Sequence, residues 1–161
     1  MGGGKTTTAK LIHSTIPRTF LIGPDYIKYG ISDYNNTSTR DTRNIHLALQ
    51  GLCSCFLSMG YNVIFDEGFR NMNELKGYLD LAKKSGVKLI FAQIYSDPEI
   101  CLQRALARKI PKRGHKVSKM KIRKRIEAYF RTKYRNPDLE FDSEKMNPEM
   151  IADKISLFIA K

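Results

Sequence analysis

Cysteine is scarce in this chain. Cys53, Cys55 and Cys101 form neither a zinc spacing nor a C-x-x-C pair. That excludes a disulfide framework or a cysteine-built metal site and leaves reduced core thiols. His13, His46 and His115 are scattered and read as ordinary surface or helix residues rather than ligands. No apolar run approaches membrane-spanning length, and the first residues lack the charged-then-apolar order of a secretory signal. The expected location is therefore the cytoplasm, with no membrane partner. With no internal repeat or low-complexity linker, residues 1–161 read as a single domain long enough to bury a core. Acids are the other shortage: 16 Asp+Glu stand against 28 Lys+Arg, a net charge of +12. Half of the basic residues, 14, fall in residues 101–135 beside a single acid, Glu127. So focused a charge implies a polyanionic ligand, either nucleotide phosphates or nucleic acid.

What is present begins at the first residues, where Gly2, Gly3 and Gly4 precede Lys5, Thr6 and Thr7. Gly4-Lys5-Thr6 has the form of the closing half of a phosphate-binding P-loop. Glycines let the backbone turn its N–H groups inward around a polyphosphate, and a helix starting near Lys5 adds its positive end. In that pattern Lys5 reaches the β/γ-phosphates, Thr6 ligates Mg²⁺ and Thr7 donates to an α-phosphate oxygen. The bland alternative is a flexible glycine-rich start followed by a threonine helix cap. The first glycine of the full pattern G-x-x-x-x-G-K-[ST] would fall before Met1, and no strand precedes the loop. The expectation is that the reading frame starts upstream and that Met1 lies inside the loop.

Farther on, apolar runs alternate between the two periods of secondary structure. A helix is expected over 5–14, ended by Pro17, and a buried strand over 18–23. Asp25 follows that strand, where α/β proteins bind ligands, although Pro-Asp also caps turns. A polar loop over 31–41 leads to a helix capped by Asp41 or Thr42 and running to 59, with Ile45, Leu49, Leu52 and Phe56 as its core stripe. Gly60 stops it. The strand expected at 61–66 ends in Asp66, and a carboxylate there lies near the metal in P-loop proteins. Glu67 follows and gives the Asp-Glu pairing of many hydrolases, and Arg70 is expected to point at the same cleft.

A helix over 73–84 turns Leu75, Tyr78, Leu79 and Leu81 inward, and the apolar run 87–95 reads as a strand buried on both faces. Asp97-Pro98-Glu99 starts a helix to 109 that carries Arg104 and Arg108 on one face, either around an anion or simply solvated. A basic loop at 111–115 and a helix over 117–131 with Met120, Ile122, Ile126 and Phe130 apolar suit a lid closing over phosphates, at about 104–120. A weak strand at 139–142 precedes a last helix from Pro148 to 160, with Met150, Ile151, Ile155 and Phe158 buried.

The order of these elements implies a three-layer α/β/α fold with a mostly parallel sheet. On Gly4-Lys5-Thr6, Asp25, the strand ending at Asp66, and Asp97-Pro98 with Arg104 and Arg108, the chain resembles the small P-loop kinases of the nucleoside/nucleotide kinase-like group. It is most similar to the branch with the polynucleotide 5′-kinase domain, zeta-toxin-like kinases and chloramphenicol-phosphotransferase-like proteins. The resemblance implies that Lys5 and Thr6 hold ATP·Mg²⁺, that Asp25 orients or deprotonates an acceptor hydroxyl, and that Asp66 stands near the metal. Arg104 and Arg108 look like lid arginines that neutralise the transferring phosphoryl group. That family's first strand, central in its sheet, is missing here, so neighbouring strands are expected to lose ladder partners.

Three functions follow. The leading one is a kinase moving the γ-phosphoryl group of ATP to a hydroxyl of a nucleic-acid end, a nucleoside or a small molecule. The others are a non-catalytic nucleotide- or nucleic-acid-binding P-loop module and an NTP hydrolase using Glu67 as base. Nucleic acid would bind through the basic 101–135 segment, where Tyr129, Phe130 and Tyr134 alternate with Arg131 and Lys133 and could stack bases.

Overall fold

The computed structural model describes residues 2–35, 38–69, 72–107, 119–131 and 136–160. It has two compact units, Ala9–Leu89 and Met1–Thr8 with Ile90–Lys161. Helix α1 (Lys5–Thr15) begins at the glycine turn.

In the first unit, β1 (Thr19–Ile22) pairs in parallel with β2 (Asn62–Phe65), Thr19 opposite Asn62 and Ile22 opposite Phe65. Short helix α2 (Pro24–Ile27) follows β1 and runs into a 3-10 turn, Lys28–Gly30. Helix α3 (Thr39–Ser58) is capped by Ser38, whose hydroxyl accepts the Asp41 amide at 3.1 Å. The cap therefore lies three residues before the one expected at Asp41. Asp41 instead uses its carboxylate to accept the Asn35 amide at 3.0 Å, and so ties down the incoming loop.

The buried stripe of α3 is Ile45, His46, Leu49 and Cys53, rotated from the expected one. Leu52 is exposed, and Phe56 stacks on Phe20 of β1 at 3.8 Å. Helix α4 (Met72–Lys84) buries Leu75, Tyr78 and Ala82, while Leu79 faces solvent. Tyr78 packs on Phe65 at 4.0 Å and on Phe69 at 5.6 Å. Its hydroxyl lies 3.0 Å from His46 Nδ1. Aromatic area and a satisfied polar pair thus fill the same core.

In the second unit, β3 (Ala92–Tyr95) pairs in parallel with β4 (Leu139–Asp142). The strand expected over 87–95 is shorter. Its ladder begins only where Asp138 accepts the Phe91 amide through its carboxylate at 2.6 Å and donates its own amide to the Phe91 carbonyl at 2.9 Å. Val87 and Leu89 are exposed. Helix α5 (Pro98–Ala107) is capped by Asp97, whose carboxylate accepts the Glu99 amide at 2.8 Å. Helix α6 (Lys119–Arg131) packs on α5 through Cys101, Leu102, Ile122 and Ile126, with Met120 exposed. Asn147 caps α7 (Pro148–Ile159) by accepting the Met150 amide at 2.8 Å. Helix α7 buries Ile151, Ala152 and Ile155, leaves Phe158 half-buried and exposes Met150.

The fold is α/β with parallel strands, as expected. Among the described residues, though, the strands pair as two separate two-stranded ladders rather than one sheet. Two of the three thiols are buried, as expected; Cys55 is exposed. Among the described residues no helix is long and apolar enough to cross a membrane.

Candidate functional site

Gly2 and Gly4 adopt φ of 77° and 82°, the left-handed region that glycine favours. A Cβ on Gly2 would stand 2.2 Å from the Cys101 carbonyl oxygen, whereas one on Gly4 would meet nothing within 4 Å. The turn is therefore pressed against α5 at one glycine and open at another. The Thr8 amide donates to the Gly4 carbonyl at 3.0 Å and starts α1, whose first turn presents amides without intrahelical acceptors. Thr6 and Thr7 are exposed there and Lys5 is half-buried. Thr8 is 1% exposed, and its hydroxyl has no hydrogen-bond partner.

Amides, an ammonium and hydroxyls gathered at a helix start fit a polyphosphate. Mg²⁺ fits as well. Among the described residues no three His, Cys, Asp or Glu gather as a metal site, and Mg²⁺ on a nucleotide needs only one or two protein oxygens beside phosphate and water.

Arg104 belongs to the same unit. Its guanidinium donates to the Ser143 hydroxyl at 3.0 Å and to the Ser143 carbonyl at 3.1 Å. Ser143 lies in the turn after β4, where Glu144 accepts from the Ser96 hydroxyl at 3.1 Å and from the Asp97 amide at 2.6 Å. Burial pushes the Cys101 thiol up, opposed by the positive charges of Lys5 and Arg104 nearby. The charges of Lys5 and Arg104 thus both act on the thiol of Cys101, whose carbonyl meets the glycine turn. Arg108, the loop at 111–115, His115 and Tyr134 lie outside the described residues, as do the side chains of Tyr129 and Phe130.

In the other unit, Gly23 and Asp66 end β1 and β2 together. The Asp66 amide donates to the Ile22 carbonyl at 2.8 Å, and a Cβ on Gly23 would stand 2.3 Å from the Asp66 carbonyl oxygen. Asp25, in the first turn of α2, is exposed and paired with Lys28. Burial pushes the Tyr26 phenol up, and the carboxylates of Asp66 and Asp25 add to the shift. The two sequence-predicted acids therefore share Tyr26 as a neighbour. Glu67 accepts the Gly68 amide at 2.7 Å. Arg70 lies outside the described residues. The residues that sequence reasoning passed over here are Tyr26, Lys28 and Tyr29; their signal was the spacing Y-x-K-Y directly after Asp25.

A family model described as "AAA domain" matches residues 1–132. No curated protein matches the sequence significantly. Solved structures do match the fold. The APS kinase of Mycobacterium tuberculosis, in complex with AMPPNP and APS, is 14% identical with a TM-score of 0.73, over 99% of this chain and 92% of that one. A protein of Chloroflexus aurantiacus provisionally described as a kinase is 18% identical with a TM-score of 0.70, over 96% and 91%. The tunicamycin resistance protein of Deinococcus radiodurans is 15% identical with a TM-score of 0.58, over 98% and 90%. At such identities the likeness concerns the fold.

Proposed function

The chain belongs to this AAA-domain family of P-loop, kinase-like proteins, and from that premise we propose that it is an ATP-dependent phosphotransferase. It would move the γ-phosphoryl group of ATP to a hydroxyl of a nucleic-acid end, a nucleoside or a small molecule. The observation that carries the proposal is the glycine turn at the start of α1, with left-handed φ at Gly2 and Gly4 and a buried Thr8 hydroxyl that lacks a partner. The fold likeness to a kinase solved with AMPPNP supports it.

The amides of Gly2, Gly3 and Gly4 with Lys5, Thr6 and Thr7 would hold the triphosphate. Thr6 would hold Mg²⁺, which when bound supplies charge neutralisation on the phosphates, and Asp66, at the end of β2, is the carboxylate that the family resemblance assigns to the metal's surroundings. Asp25, an exposed carboxylate, would leave Lys28 to orient the acceptor hydroxyl and take its proton. Arg104 and Arg108 would neutralise charge on the transferring group. Phosphoryl transfer asks for positioning and charge stabilisation, which these groups supply. The hydrolase alternative draws no support from Glu67, whose carboxylate accepts an amide of its own turn.

Calorimetry with ATP·Mg²⁺ and a transfer assay over a panel of hydroxyl acceptors test the proposal. Lys5→Ala is expected to lose ATP binding. Asp25→Asn is expected to keep ATP binding and lose transfer by about 10²–10⁴-fold. Transfer that survives Lys5→Ala would overturn the reading.

A further inference from the structure

We propose that Tyr26 and Tyr29 form a stacking surface for a nucleobase, so that the acceptor hydroxyl belongs to a base-bearing sugar. This rests on the reading of Asp25 as the residue that meets the acceptor. Most of the other aromatic rings in this unit cover one another: Phe20 with Phe56, Phe56 with Tyr61, and Phe65 and Phe69 with Tyr78. Tyr26 and Tyr29 do not follow that pattern, being 45% and 71% exposed, and Ile31 beside them is 46% exposed.

The local backbone places Tyr26 and Tyr29 on one side of the segment. Helix α2 passes directly into the tighter turn Lys28–Gly30, and residues three apart in such a segment lie on one side. Lys28 folds back toward the start of α2. It pairs with Asp25, its Nζ lies 5.0 Å from the Tyr29 ring centroid, and its side chain is only 14% exposed. The cation is thus drawn in while the rings stay out. The contact between Gly23 and Asp66 fixes the base of this segment against the end of β2.

An acceptor here meets a carboxylate and two apolar faces within a few residues. A sugar hydroxyl suits the carboxylate, and the flat ring on the same sugar suits the tyrosines, because every base has a π-face. A purely aliphatic alcohol would leave both rings in water. The shared chemistry is a nucleoside unit, supplied either as a free nucleoside or as the end of a nucleic-acid strand.

The chain has no tryptophan, so Tyr29→Trp places a single indole reporter on the surface. With the ATP site filled by excess AMPPNP, titration with thymidine or a 5′-hydroxyl oligothymidylate is expected to quench the indole emission, and ribose is expected to leave it unchanged. Quenching by thymidine alone identifies a free nucleoside; quenching by the oligonucleotide identifies a strand end. In the transfer assay Tyr29→Ala is expected to raise KM for the base-bearing acceptor about tenfold or more with kcat nearly unchanged. Tyr29→Phe is expected to restore it.

Absence of quenching by both base-bearing probes, or a KM unmoved by Tyr29→Ala, overturns the stacking surface. Transfer to ribose without quenching overturns it too, while the kinase reading stands. Quenching with no transfer to any acceptor removes the kinase reading and leaves base stacking.

Discussion

The glycine turn before α1 and the acid-bearing loops after β1 and β2 are built from opposite materials. The glycine turn is made of backbone. Gly2 and Gly4 are left-handed, Gly2 is pressed against the Cys101 carbonyl, and the groups it offers a ligand are chiefly amides at a helix start. The acid loops are made of side chains. Asp25 and Tyr26 project from a short helix, Lys28 from the turn that follows it, Asp66 ends a strand, and only Gly23 is needed as bare backbone. A backbone site tolerates little change at its glycines, because conformation and space are both specified. A side-chain site can exchange its chemistry while the strands beneath it stay the same. In a phosphotransferase the former suits the constant donor and the latter the acceptor.

Glycine replacement should break the comparison most strongly. Gly2→Ala adds left-handed strain to a backbone collision and is expected to cost about 2–4 kcal/mol in urea unfolding. Gly23→Ala collides with the Asp66 backbone in an extended conformation that any residue adopts, and about 1–3 kcal/mol is expected. Gly4→Ala meets open space, so only the strain remains, about 1 kcal/mol. Equal costs at Gly2 and Gly4 would mean that the turn is not held against α5.

The core behind the acid loops carries a pH signature. Burial pushes the Cys53 thiol from 9.0 up to about 11, and burial with the nearby charges of Cys53, Glu67 and Glu74 pushes the Tyr78 phenol up as well. Between these limits the unfolded chain loses the Cys53 proton and the folded chain keeps it. Stability should therefore fall as pH rises from about 9 to about 11. Cys53→Ala should flatten that fall in urea titrations; an unchanged slope would assign it to other groups. An effect as small as that of Gly4→Ala is expected of Tyr78→Phe, which removes the hydrogen bond to His46 and should cost about 1 kcal/mol by the same measurement.

Much of this was legible before the structure. Strand β4 occupies the expected residues 139–142, and Asp97 and Asn147 cap α5 and α7 because an oxygen-bearing side chain before Pro leaves few alternatives. The start of α3 was harder. Ser38, Thr39, Asp41 and Thr42 are all capping types in succession, and the choice of Ser38 depends on where the loop from Asn35 arrives. The core stripe of α3 was misread at Leu52 because side-chain size favoured leucine over the adjacent Cys53. Which of the two faces inward is set by the packing of α3 on β2 and α4.

By itself the sequence determined the glycine turn with Lys5 and Thr6 at the head of a helix, and the carboxylates at two strand ends. Those features depend on residues adjacent in the chain and on local backbone preference. Only the tertiary structure decided that Gly2 lies against Cys101, that Arg104 is held by Ser143, that Asp25 and Asp66 share Tyr26, and that Tyr29 stays in the open. Each of these depends on what distant segments cover or leave uncovered, and burial is a property of the packed chain rather than of any stretch of it.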